Sequence, residues 1–168
     1  MVKKPPLVDF SKFDLDKPIA DIEDIRALIP QRFEMEQLTA ICYEDREANS
    51  TVGYKDITPD EFWCRGHMPG MPLMPGVLMC EAAAQLASYH SHRSKLMEGM
   101  IGFGGLKDVK FRGVVRPGDR LVIMVHLLKV RRAIMTCQFQ CYVKEDLVCE
   151  GILKGVSLPL DAIKNLPS

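Results

Sequence analysis

Two titratable side chains fourteen residues apart, His67 and Glu81, mark the stretch of this chain best equipped for acid–base chemistry. Imidazole exchanges a proton near neutral pH, and a carboxyl group among apolar neighbours can give one or take one. A base and an acid of this kind suit removal of a proton next to a carbonyl, provided that donors also wait for the oxyanion that develops. The surrounding run, RGHMPGMPLMPGVLMCEAAAQ over residues 65–85, has the makings of all three parts.

The elements that must position them have opposite characters. Gly66, Pro69, Gly70, Pro72 and Pro75 make the first half a stiff, bent segment that can continue as neither helix nor strand. From Gly76 the sequence turns into a helix former rich in Ala and Leu, and Pro75 is expected at the first helical position. A rigid loop thus delivers His67 to the entrance of a helix whose second turn carries Glu81. The first N–H groups of that helix, around Gly76 and Val77, have no intrahelical acceptor, and the macrodipole there favours negative charge.

The helix is apolar nearly all round, which predicts burial. Glu81, Gln85 and Ser88 are the exceptions and share one stripe. Two readings of Glu81 stand. It is either an ordinary solvated position or a carboxyl group held in an apolar channel to move a proton. His67 likewise is either a structural turn residue or the base. Gln85, four residues beyond Glu81, is placed to hydrogen-bond its carboxyl group, with plain helix solvation as the alternative.

The 168 residues suit one domain with its own core. Lys plus Arg and Asp plus Glu both number 22, so no general attraction to nucleic acid or to an acidic membrane follows. Six cysteines occur without a C-x-x-C pair, which suits reduced core residues and a cytoplasmic location. His90 and His92 lie two apart on the helix and share no face, so no metal site is expected. No apolar run is long enough for a secretory signal or a membrane span.

Along the chain, residues 1–20 read as an N-terminal extension on the surface or partly disordered, and residues 21–168 as the single domain. A short helix is expected over 20–28, stopped by Pro30, then strands over 33–48 and 51–56. The central helix is expected to end near Glu98 and Gly99. Strands over 100–115, 120–130, 133–144 and 147–158 follow, with turns at Pro117-Gly118-Asp119, Arg131-Arg132 and Glu145-Asp146. A long apolar helix among antiparallel strands predicts an α+β fold whose sheet wraps the helix.

The run GHMPGMPLMPGVLMCEAAAQ resembles the signature of the 3-hydroxyacyl–acyl carrier protein dehydratases of fatty acid synthesis, the FabZ type. IRALIPQRF at 25–33, KFRGVVRPGDRL at 110–121 and LVCEGILKG at 147–155 are similar to flanking segments of that family, so the resemblance covers residues 21–159. It implies the hotdog fold, homodimers joined edge to edge and often assembled three to a hexamer, and no cofactor. It also implies a (3R)-3-hydroxyacyl thioester on acyl carrier protein as substrate and a trans-2-enoyl thioester plus water as products. In such a site His67 works with Glu81 of the partner subunit. Gly76 offers its N–H to the thioester oxygen, and the carbonyl of Leu73 orients the imidazole.

For the acyl tunnel, the candidate lining residues are Met68, Met71, Met74, Leu86 and Phe103, with simple core packing as the alternative for each. The basic residues available to an acidic carrier are Lys107, Lys110, Arg112, Arg131, Arg132, Arg93 and Lys95. The chain departs from the family in Met68, where Phe is usual, in residues 34–45, in Gly113-Val114 for a residue-Pro pair, and in Gly102 at the tunnel's gating aromatic. Two rivals share the signature: a hotdog enzyme of polyketide or specialised lipid metabolism, or acting on coenzyme A thioesters, and a module that binds acyl thioesters without reacting.

Overall fold

A computed structural model describes residues 4–159. The helix α2, Gly76–Arg93, runs along the inner face of a six-stranded antiparallel sheet. The strands are β1 Ala40–Asp45, β2 Ser50–Asp56, β3 Met100–Phe111, β4 Arg120–Arg131, β5 Ile134–Val143 and β6 Asp146–Leu158. Their order is β1-β2-β4-β5-β6-β3, so β1 and β3 are the edges. This is the α+β, helix-in-sheet architecture that the alternation of the sequence predicts.

Strand β4 shows how the sheet is used on both faces. Leu121, Ile123 and Val125 point at α2 and join Ala82, Ala83, Leu86 and Phe139 in the main core. Val122 and Met124 point the other way, yet are equally buried. They pack in a second cluster with Val52, Tyr54 and Tyr142, which Val8, Leu7, Phe10, Phe13 and Leu15 cover. The segment from residue 4 to 20 is therefore laid across the outer face. Leu7 N–H donates to Gln140 Oε1 at 2.7 Å, and Gln140 Nε2 donates to the Pro5 carbonyl at 3.2 Å. Lys4 and Arg112 both pair with Glu150. Burial pushes the Glu150 carboxyl up, but hydrogen bonds from these two cations outweigh it and hold the group below the usual carboxylate range.

Element boundaries differ from expectation at α1, at both ends of β1, at the end of α2 and at the end of β3, which stops at Phe111 rather than 115; three of these differences have a local reason. Helix α2 stops at Arg93 rather than near Gly99. Lys95 takes the left-handed conformation at φ 54°. Leu96 N–H then bonds to the Ser91 carbonyl at 2.9 Å and Lys95 N–H to His92 at 3.1 Å, a Schellman closure made without glycine. The first strand starts at Ala40, not at Phe33. Phe33–Met35 forms a 3₁₀ turn, and the Met35 carbonyl and Gln37 N–H bond to the Gln85 side chain on α2; only at Thr39, whose N–H donates to the Tyr54 carbonyl, does the backbone bond to that of β2. Helix α1, Ile22–Arg26, is shorter than expected because Asp21 caps it in a capping box, so the preceding Ala20 bridges to Ile41.

Candidate active site

The loop before α2 is closed by its own hydrogen bonds. His67 N–H donates to the carbonyl of the buried Trp63 at 2.8 Å, and Leu73 N–H donates to the His67 carbonyl at 2.8 Å. Met68 and Met71 bond to each other in both directions, at 3.1 and 3.0 Å, around Gly70 at φ 76°. That conformation suits a residue without Cβ. Met74 N–H reaches the Val115 carbonyl at 2.9 Å and ties the loop to the chain just past β3.

Within this frame the imidazole has one orientation. His67 Nδ1 lies 2.8 Å from the Leu73 carbonyl oxygen. A carbonyl can only accept, so Nδ1 carries the proton and Nε2 presents its lone pair. His67 is half-buried. Pro75 proves to be the cap, in extended conformation, and Gly76 the first helical residue. Among the described residues the N–H groups of Gly76 and Val77 meet no acceptor. Gly76 lies under the ring of Phe111: a Cβ there would stand 2.8 Å from Phe111 Cε1.

Glu81 is half-buried and faces a narrow cleft with Ala84, Ser88 and Phe103. Its Oε1 accepts from Gln85 Nε2 at 2.8 Å. Gln85 is 1% exposed, and the same amide donates to the Met35 carbonyl at 2.7 Å and accepts from Gln37 N–H at 2.9 Å. The segment that supplies these bonds is itself stapled to α1, because Arg26 Nε and Nη2 meet Glu36 at 2.6 and 2.9 Å. Arg26 holds the Glu36 carboxyl below its usual range.

In one chain the two titratable groups are not joined: among the described residues no hydrogen bond links His67 to Glu81. They belong to opposite ends of β3. The His67 loop is fastened beside Val115, past the Phe111 end, whereas Glu81 looks at Ile101, Gly102 and Phe103.

The remaining candidates fall in different places. Met68 and Met71 are exposed on the loop, and Phe103 is exposed on β3 at the Glu81 cleft. Met74 is buried, and Leu86 is fully buried in the main core. His90 is buried against Thr51, while both ring nitrogens of His92 lie close to backbone carbonyls of Ser88 and Gly99. Among the described residues no group of three or more His, Cys, Asp and Glu could hold a metal ion. Arg112 is engaged with Glu150 and Arg93 with Glu44; Lys110 is exposed on β3. Burial pushes the thiols of Cys42 and Cys137 up to about 12, so neither is a ready nucleophile. Gln31, Ile101, Met135 and Leu153 also line the Glu81 cleft and carry no motif that would single them out. Only the alternation of β5 and β6, which turns Met135 and Leu153 inward, could have pointed to two of them.

A sheet wrapped on a buried helix, with a His loop at the helix entrance and a Glu on its second turn, is the architecture of a hotdog protein. The match to the FabA-like domain spans residues 29–152, and the chain belongs to that family. It is 37% identical to the 3-hydroxyacyl-(acyl-carrier-protein) dehydratase FabZ of Clostridioides difficile, over 79% of this chain and 94% of that one. It is 35% identical to the FabZ of Caldicellulosiruptor saccharolyticus, over 79% and 95% respectively. In sequence, then, it is a FabZ-like member of the hotdog dehydratases. Solved structures show the same fold at lower identity. The dehydratase heterocomplex ApeI:P from Xenorhabdus doucetiae superposes with a TM-score of 0.68 at 16% identity, covering 84% of this chain and 97% of that one. Cj0977 from Campylobacter jejuni, a sigma28-regulated virulence protein, gives a TM-score of 0.62 at 20% identity, covering 84% and 95%. No helix among the described residues is long and apolar enough to cross a membrane.

Proposed function

We propose that the protein is a hydro-lyase that converts a (3R)-3-hydroxyacyl thioester on acyl carrier protein into the trans-2-enoyl thioester and water in fatty acid biosynthesis. The observation that carries this reading is the fixed tautomer of His67: Nδ1 is spent on Leu73, leaving Nε2 to take the proton next to the thioester carbonyl. The unpartnered N–H of Gly76 suits the oxyanion that forms on the thioester oxygen, where one such donor is worth about 3 kcal/mol. Electrons from the broken C–H bond form the double bond, and the 3-hydroxyl departs as water with a proton from Glu81, which Gln85 holds in place. The relatives named above carry the same substrate in their names.

The geometry favours a shared site. Two copies joined along their free β3 edges by a two-fold axis must pair antiparallel, so the Phe111 end of one strand meets the Met100 end of the other. That brings the partner copy's histidine toward Glu81. Phe103, Leu106 and Phe111 are exposed along this edge, as an interface strand would be. The cytoplasm, which keeps thiols reduced, suits the six free cysteines.

Hydration of a trans-2-enoyl thioester, followed by loss of its conjugated absorbance, tests the reading. His67→Ala and Glu81→Gln should each lower the rate about a hundredfold or more. Equal rates for wild type and His67→Ala would reject the reading. The same acyl group on coenzyme A and on carrier protein decides which thioester is natural.

A further inference from the structure

Strand β3 does not keep step with its neighbour β6. Lys107 stands opposite Ile152 but Lys110 opposite Glu150, so β3 spends one residue more than β6 over this stretch. A bulge takes up the surplus, and within it Asp108 is held in the left-handed region at φ 54°. Without the bulge Lys110 would fall opposite Cys149, whose side chain lies in the main core, and would face the helix. With it, Phe111 takes that place. Directly opposed residues share a face of the sheet, so the Phe111 ring is turned inward, toward α2.

The ring comes down on the first residue of that helix. A Cβ on Gly76 would stand 2.8, 2.9 and 3.2 Å from Phe111 Cε1, Cδ1 and Cζ, so the ring occupies the place of a side chain at 76. The chain just past the ring is fixed as well: Arg112 N–H donates to the Val148 carbonyl at 2.7 Å, and Gly113 N–H to the same oxygen at 3.3 Å. Phe111 is thus seated by β6 on one side and seats Gly76 on the other, wholly within one chain. In the proposed pairing of β3 edges, this end of the strand meets the Met100 end of the partner copy, so the ring lies where the shared site is completed.

We propose that Phe111 is a positioning residue: its ring fixes the entrance of α2 so that the Gly76 N–H stays aimed at the thioester oxygen, and it shields that face of the glycine from water. The role rests on the dehydratase reading and adds to it the group that holds the oxyanion donor. Such a donor is most effective when its direction is set before the charge develops and water does not compete for it. In this role Phe111 touches no reacting atom and acts only through Gly76.

The test uses the full-length protein and a crotonyl thioester of acyl carrier protein. Phe111→Leu should lower kcat for hydration about tenfold or more with KM little changed, a part of the roughly hundredfold or more that loss of an oxyanion donor costs. In the His67→Ala background, infrared difference spectra of the bound thioester should show the carbonyl stretch moved to higher frequency by Phe111→Leu, as in a carbonyl less polarised by its donor. Gly76→Ala, which leaves the β3 edge untouched, should give the same two changes, and it carries the test should Phe111→Leu fail to fold or to pair. The double variant should be about as active as the poorer single one, because both substitutions break one contact. A loss confined to KM, an unmoved carbonyl band, or losses that multiply in the double variant would each overturn the proposal. If any of these occurs while His67→Ala abolishes activity, only the role of Phe111 is wrong. If wild type and His67→Ala hydrate the thioester alike, the dehydratase reading falls and this role with it.

Discussion

Gln85 holds Glu81 from one turn further along α2, its Nε2 donating to the carboxyl at 2.8 Å while its own oxygen takes the Gln37 N–H at 2.9 Å. One buried amide thus serves the candidate acid and the strand-entry segment together. Gln85→Leu would release the carboxyl group and strand the Gln37 N–H and the Met35 carbonyl. Each buried polar group left unpaired costs about 1–3 kcal/mol. The expected outcome is a clear drop in melting temperature and a fall of about tenfold in kcat, with KM little changed, read by calorimetry and steady-state hydration kinetics.

Because the histidine and the glutamate sit at opposite ends of β3, inactive variants should complement each other. A dimer of one His67→Ala chain and one Glu81→Gln chain has one intact pair and one doubly defective pair. Mixing the variants after dissociation should restore about a quarter of wild-type activity, since half of randomly paired dimers are mixed and each has one good site of two. No recovery, with mixed dimers shown to form, would place both groups in one chain.

His90 predicts an early acid weakness. Burial holds its imidazole below the ordinary 6.5, outweighing the pull of Glu44, and His126 and Arg46 push the same way as burial. A depressed folded value means that the unfolded chain binds the proton first. Stability is thus full above about 6.5 and declines as pH falls toward the folded value. Melting temperature should begin to drop below pH 6.5, before the carboxylates titrate, and the drop should vanish in His90→Gln. A second loss, from Glu36 and Glu150, belongs to more acidic solutions, below their ordinary 4.5.

Lys95→Gly should stabilise the protein. A side chain in the left-handed region costs about 1–2 kcal/mol, and glycine's extra freedom in the unfolded chain returns part of that, leaving about 0.5–1 kcal/mol. Denaturant titration would show it as a higher midpoint at unchanged slope.

How much of this was legible in the sequence differs by element, for physical reasons. The His67 loop and the start of α2 were open to reading because Gly and Pro restrict the backbone locally and the Ala-rich run restricts it the other way. The end of α2 was hidden because Lys95 does a glycine's work, held there by hydrogen bonds no propensity scale contains. Residues 33–39 alternate like a strand, and what holds them out of the sheet, the bonds of the Met35 carbonyl and Gln37 N–H to Gln85, comes from nearly fifty residues away. Gln85 itself was placed correctly beside Glu81 by spacing alone. Phe111 showed only as a strand residue, since its meeting with Gly76 depends on the register of β3 on β6.

The strap of residues 4–20 has a bearing on how the molecule behaves in company. Beneath Val8 and its neighbours lies a greasy patch of Val52, Tyr54, Val122, Met124 and Tyr142, on a broad surface that sheets readily use to stack upon one another. A shortened protein beginning at Asp16 would lay that patch bare and should cluster as its concentration rises, visible by light scattering, although no residue of the cleft has been touched. A few residues far from the chemistry thus cover this face, folded over it like a flap on an envelope.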